Sequence, residues 1–347
     1  MKKHAIIPIF IPHAGCGHSC VFCNQKVITA REQTPGPGDV IQTVETWLST
    51  LEGRGLDTIE LSFFGGSFTG IPEQDQRMYL DIALAYKKKG RIDKIHMSTR
   101  PDYINRDIMD MLREYTVDTI ELGVQSFDDD VLEMCRRGHT SRDVYDACAL
   151  IKEYGIELGI QLMIGLPGDT KEKAIESARK AALIRPSLAR LYPTVVLPDT
   201  QLARMMHDGS YTPLSESDAI DITKEMYRIL MDAGINIMRV GLKSTDLVTT
   251  GTDLAGNYHP AFRQLVEGEI MKENMTALLS GNKDRISKMK KPEVIFSSNE
   301  KWFPPMIGHK ACNKNHFADN YPEIIFSYEK DNSLSDGYAA ISVIECL

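Results

Sequence analysis

The sequence has 347 residues, 42% apolar and 25% charged, with a formal net charge of −8 and a pI near 5.7. That length buries one large core or two moderate ones, and the composition excludes a disordered chain. The acidic balance argues against bulk affinity for nucleic acid, and no apolar run approaches the roughly 18 residues of a membrane span, so a cytoplasmic protein with no membrane partner is expected.

Strand-like runs at residues 5–11, 58–63, 94–98, 119–124, 156–164 and 188–195 alternate with helical patterns at 40–51, 74–89, 105–115, 128–135, 141–154 and 171–183. Six strands joined by helical crossovers predict a parallel sheet with helices outside it, because parallel neighbours need long right-handed connections. A partial barrel and an open doubly wound sheet both satisfy that order. The unusual residues favour the barrel: those at 16–23, 65–66, 98–100, 125–126 and 165–167 all follow strands, and the loops at a barrel's strand C-termini converge on one site. The expected fold class is α/β, a partial (β/α)6 TIM-like barrel with a small C-terminal α+β module.

A further helix is predicted at 217–233, and the Thr-, Asp- and Gly-rich stretch 243–258 marks a boundary. Domains at 1–245 and 246–347 follow, the second holding a helix at 260–279 and strands at 293–297, 322–328 and 338–344. The basic runs at 87–89 and 283–291 read as solvated surface.

Cys16, Cys20 and Cys23 stand in a C-x3-C-x2-C spacing directly after the first strand. Thiolates are the usual anchors of iron–sulfur clusters, and three of them leave one iron open. A structural zinc site normally shows two paired ligand sets, whereas only His13 or His18 stands near enough to complete this one. Seven cysteines are too few and odd in number for a disulfide scaffold, which fits a reducing compartment. Cys135 and Cys148 read as packed small hydrophobes, while Cys312 and Cys346 are too far apart for a second cluster motif.

With Phe22 before its last cysteine, the triad resembles the signature of the radical S-adenosylmethionine (SAM) superfamily. The resemblance implies that Cys16, Cys20 and Cys23 hold a [4Fe–4S] cluster, that SAM chelates the open iron, and that an external donor such as a flavodoxin or ferredoxin supplies the electron for its cleavage. Gly65, Gly66 and Ser67 are similar to the superfamily's Gly-Gly motif, where glycine lets the backbone approach a ligand. Gln125, in the run 121–126, and Arg137, in the run 136–140, resemble cofactor contacts of coproporphyrinogen oxidase-like and Elongator-like enzymes. Arg137 falls where a guanidinium fork suits the cofactor carboxylate. Ser98 and Gln161 fall at further cofactor-facing positions. There, porphyrin-oxidase relatives tend to have an acidic residue at the first, and many relatives have an aspartate at the second.

The runs 190–200 and 238–242 look like the radical core of the Elongator catalytic subunit, whose family modifies wobble uridines of tRNA; the likeness covers roughly residues 5–245. It implies a tRNA base as substrate, with a small molecule or tetrapyrrole as the enzyme alternative. A non-catalytic iron–sulfur protein would keep the cysteines without needing Gly65-Gly66. Elongator catalytic subunits continue into an acetyltransferase domain. Nothing of that size stands in this sequence, so their carboxymethylation is not expected to carry over unchanged. Tyr192, His259, His309 and Lys310 are further substrate-side candidates that read more simply as structural.

Overall fold

The computed structural model describes residues 3–11, 15–24, 34–242, 255–256 and 259–345. Most of the expected boundary segment 243–258, together with His13 and Cys346, lies outside the described residues. By contact the chain divides into two units, residues 1–215 with 226–258 and residues 216–225 with 259–347.

The first unit is built on seven parallel strands: β1 (His4–Ile11), β2 (Thr58–Gly65), β3 (Lys94–Thr99), β4 (Thr119–Gln125), β5 (Glu157–Ile164), β6 (Leu188–Pro193) and, after the two-residue β7 (Val195–Val196), β8 (Asn236–Val240). The helices α1 (Pro37–Leu51), α2 (Glu73–Lys88), α3 (Arg106–Glu114), α4 (Asp129–Met134), α5 (Ser141–Glu153) and α6 (Lys171–Ile184) alternate with the strands. Strands neighbour one another in chain order, without the reversal that defines a doubly wound sheet. Right-handed crossovers then keep the helices on one side, and the sheet curls as a half-barrel.

Six of these strands were legible as apolar runs. The seventh, β8, was not: its alternation is broken where the register slips between Ala189 and Arg190 of β6. Short β7 pairs antiparallel with β9 (Ala255–Gly256).

Local chemistry sets the helix starts. Pro37 opens α1, where a missing N–H costs nothing, and Asp39 accepts from Gly36 N at 2.9 Å. Thr140 and Asp143 close a capping box at the head of α5, and Asn105 caps α3. Along the strands, Ile7, Ile9, Leu61, Phe63, Ile95, Met97, Ile120, Leu122, Ile160 and Leu162 are all buried. Their period of two marks the face that packs on the helices.

The helix α7 (Gln201–His207) follows β7, and α8 (Glu216–Asp232) runs through both contact units. In the second unit, α9 (Phe262–Gly281), α10 (Lys283–Ile286), α11 (Phe303–Ile307) and α12 (Cys312–Asn320) accompany a three-stranded sheet. There β10 (Pro292–Ser298) lies parallel to β11 (Ile325–Lys330) and antiparallel to β12 (Ala340–Glu345). Its core is aromatic, with Phe296 5.3 Å from Phe317 and 5.9 Å from Phe326, centroid to centroid. Among the described residues no helix is long and apolar enough to cross a membrane.

Candidate functional site

The cysteine loop leaves β1 at the same end as the loop after β2, and the two backbones touch. Gly66 N donates to Ile11 O at 2.8 Å. Gly65 has φ +115°, and a Cβ there would stand 2.8 Å from Ile11 O. Gly15 has φ +72°, and its Cβ would stand 2.1 Å from Ser67 O. Only glycine fits either position, so the triad's approach to Gly65–Ser67 is written in backbone.

Of the three half-buried cysteines, Cys16 and Cys20 are tied to two different parts of the barrel mouth. Cys16 Sγ lies 3.7 Å from Ser67 Oγ; Cys20 Sγ accepts from Arg137 Nη1 at 3.1 Å; Cys23 N closes a turn on Cys20 O. Neighbouring residues complete the anchorage. Gly17 N donates to Tyr103 OH at 3.0 Å, Val21 N donates to Cys135 O, and Leu202 N donates to Val21 O. Among the described residues no three His, Cys, Asp or Glu side chains gather closely enough to hold a single metal ion. A cluster asks for something else, one thiolate at each of three irons around a cage.

Gln125 ends β4 in the left-handed region, φ +67°, although it is not glycine and is buried. Strain of this kind costs about 1–3 kcal/mol and persists where the surroundings over-determine it. Its Oε1 accepts from Gln161 Nε2 at 2.9 Å, which joins two of the sequence-predicted residues across β4 and β5. Arg137 is only 6% exposed and lies beside them, Nη2 donating to Gly123 O at 2.6 Å. Ser98 lines a small cavity with Gly66, Ser67 and Phe64. The structure thus gathers Gly65, Gly66, Ser67 and Ser98 on one side of the cysteine loop and Gln125, Arg137 and Gln161 on the other.

His139 is buried, Nε2 3.3 Å from Val124 O, and burial together with the cations of Arg137 and Arg100 pushes its pKa down to about 3. Arg100 forms a two-pronged pair with Asp102 at 3.0 and 2.9 Å. His259 and His309 belong to the second unit, their rings edge to face at 5.5 Å. Lys310 stands there in the left-handed region.

Sequence reasoning missed a buried ionic row across the open face of the sheet. Glu60 Oε1 accepts from His96 Nδ1 at 2.6 Å and from Ser62 Oγ at 2.7 Å, while His4 Nε2 approaches its other oxygen at 3.4 Å. His96 Nε2 lies 3.9 Å from Glu121 Oε2, and Arg190 Nε lies 2.6 Å from that same oxygen. This last pair is an ion contact without good hydrogen-bond angles, so Arg190 Nε, Glu121 Oε2 and His96 Nε2 keep unused hydrogen-bonding capacity. Arg190 also lies over the Phe64 ring at 4.9 Å. Burial alone would raise the Glu60 pKa, but hydrogen bonds from His4, His96 and Ser62 hold it well below the carboxylate range. The available signal was an ionisable residue at an interior position of otherwise apolar strands, in phase with the face opposite the core.

Residues 10–181 match the model of the radical SAM superfamily and residues 186–272 that of the radical SAM C-terminal domain. The tRNA uridine(34) acetyltransferase of Methanocaldococcus jannaschii is 25% identical, over 94% of this chain and 65% of its own length. The heme chaperone HemW of Bacillus subtilis is 27% identical, over 62% of this chain and 56% of its own. The chain spans less than two thirds of the length of either relative. The solved structure of Elp3 from Methanocaldococcus infernus, lacking its N-terminus, shares the fold with a TM-score of 0.62 at 22% identity, over 79% of this chain and 64% of that one. With two of the superfamily's models matched one after the other along most of its length, the chain belongs to the radical SAM superfamily.

Proposed function

We propose that the chain holds a [4Fe–4S] cluster through Cys16, Cys20 and Cys23, binds SAM beside it, and acts on a base of tRNA. The residues suit these groups. The donors are three thiols on one loop. The glycine backbone at 65–66 leaves room for close approach, and Arg137 presents a buried Nε with no hydrogen-bond partner, a donor ready for a carboxylate. When bound, cluster and SAM together supply reductive radical chemistry that takes a hydrogen atom from a substrate. The chain's own part is to bind and orient. Gly66, Ser67 and Ser98 line one wall, next in chain to Gly65; Gln125 and Gln161 offer amides that hydrogen-bond hydroxyl or ring groups; and the apolar rings of Phe10 and Phe64 help to exclude water. The electron comes from an external carrier such as a flavodoxin or ferredoxin.

The observation that carries the tRNA reading is the alignment of 94% of the chain with an enzyme named for uridine 34 of tRNA. Nucleoside mass spectrometry of tRNA from cells lacking the protein tests it. A modified uridine that disappears, and returns on complementation, is the expected result; an unchanged nucleoside profile overturns it. The similarity to a heme chaperone favours a tetrapyrrole as the second reading, and that outcome would then be pursued through haem binding.

A further inference from the structure

The Arg137 side chain is fixed from both ends. The turn that carries it has left-handed residues on either side, Arg136 at φ +54° and Gly138 at φ +73°. Its Nη2 donates at 2.6 Å to Gly123 O, a strand carbonyl that cannot move without disturbing β4. A Cβ at Gly123 would stand 2.9 Å from Gln125 Nε2, so that amide would have to shift, and at an ordinary 3.5 Å from Arg137 Nη2. With the fork's plane set in this way, Nη1 is directed at Cys20 Sγ, 3.1 Å away.

A guanidinium only 6% exposed is expensive to bury unless an anion faces it. The Gly123 carbonyl that Nη2 reaches is neutral. A metal-bound Cys20 thiolate would put an anion 3.1 Å from Nη1 and leave Nε for the cofactor carboxylate.

We propose that Arg137 is a positioning residue for the iron–sulfur cluster: it holds the Cys20 sulfur by a charge-assisted hydrogen bond and raises the cluster's reduction potential. The inference rests on the reading that Cys16, Cys20 and Cys23 carry the cluster. Reduction adds one negative charge, and a cation donating to a ligand sulfur stabilises the reduced form more than the oxidised one. Hydrogen bonds to the sulfurs and local charge are among the protein's main controls on such potentials.

The test compares wild type, Arg137→Lys and Arg137→Gln after anaerobic reconstitution, without SAM. It reads iron and sulfide content first and the midpoint potential second. Arg137→Gln is expected to load iron but to become at least tenfold harder to reduce, which for one electron is 59 mV towards negative potential. Arg137→Lys, keeping the charge with a different donor geometry, is expected to recover part of that shift. A fully loaded Arg137→Gln protein with the wild-type midpoint overturns the inference. Should that variant not take up iron, pulsed electron paramagnetic resonance of the reduced wild-type cluster in 15N-arginine-labelled protein decides. Coupling to a guanidinium nitrogen that Arg137→Lys abolishes is expected, and its absence overturns the inference. A wild-type protein that takes up no iron overturns the cluster reading itself, a result distinct from either of these.

Discussion

Replacing Arg190 with leucine leaves the Glu121 carboxylate buried without its guanidinium partner, beside the His96 ring. Glu121 is 2% exposed, and Arg190 Nε stands 2.6 Å from its Oε2. Removing one partner of a buried ion pair costs about 3–5 kcal/mol, most of it the penalty of the charge left behind. The lower end applies here, because His96 Nε2 remains 3.9 Å from the same oxygen. Loss of the guanidinium over Phe64 adds about 0.5–2 kcal/mol. Removing both charges, Glu121→Leu with Arg190→Leu, also removes the orphan, and such exchanges are often near neutral. Native-state hydrogen exchange on peptides from β4 and β6 measures the difference directly, since every 1.4 kcal/mol is about tenfold in the opening equilibrium. The single variant should exchange roughly a hundredfold faster or more, with the double variant within about tenfold of wild type. Wild-type protection in Arg190→Leu, or a double variant worse than the single, would refute the view that this pair closes the ionic row.

Four further outcomes follow from the same geometry. Alanine at Cys16, Cys20 or Cys23 should abolish the iron–sulfur absorption of the reconstituted protein, whereas alanine at buried Cys135 or Cys148 should leave it. Gly15→Ala should lose both cluster loading and stability. Its Cβ overlaps Ser67 O at 2.1 Å, and overpacking typically costs about 1–3 kcal/mol beyond the backbone strain. Gly90→Ala, at a similar φ with nothing within 4 Å, should show the strain alone and normal iron content. Because the folded-state pKa of Glu60 is depressed, its stabilisation is present above the unfolded carboxylate value of about 4.3 and fades as pH falls below it. Glu60→Gln should therefore be less stable than wild type at pH 7, with the gap beginning to narrow as pH falls below about 4.3 in urea titrations; a constant gap contradicts the assignment. His139 stays neutral down to about 3 while an unfolded histidine protonates near about 6.5. Stability is lost as pH falls through that window, and His139→Gln should flatten the acid limb by up to about 1.4 kcal/mol per pH unit.

The strand-end loops carried the motifs of the candidate site in readable form. Cysteine spacing, paired glycines and the Gln125 run are local signals that sit where strands end, and the Arg137 run follows the short helix after β4. Their mutual contacts were less accessible. Arg137 meets Cys20 across 117 residues, and Gln161 meets Gln125 across 36, which depends on the order in which strands pair. The left-handed Gln125 was not legible either, since no glycine announces it. Strand β8 escaped because a bulge shifts its partners by one residue, and period-two reasoning fails at a bulge. The ionic row escaped for a different reason. Glu60, His96, Glu121 and Arg190 each read as one polar residue in a strand, and only side-chain contacts reaching across the strands join them.

We propose that this chain, loaded with a cluster at Cys16, Cys20 and Cys23, cleaves SAM reductively. Anaerobic reconstitution, addition of dithionite and SAM, and chromatography for 5′-deoxyadenosine measure that directly. 5′-Deoxyadenosine is expected from the wild-type protein and none from a variant with all three cysteines changed to alanine. A wild-type protein carrying its full complement of iron and sulfide that yields no 5′-deoxyadenosine would contradict it.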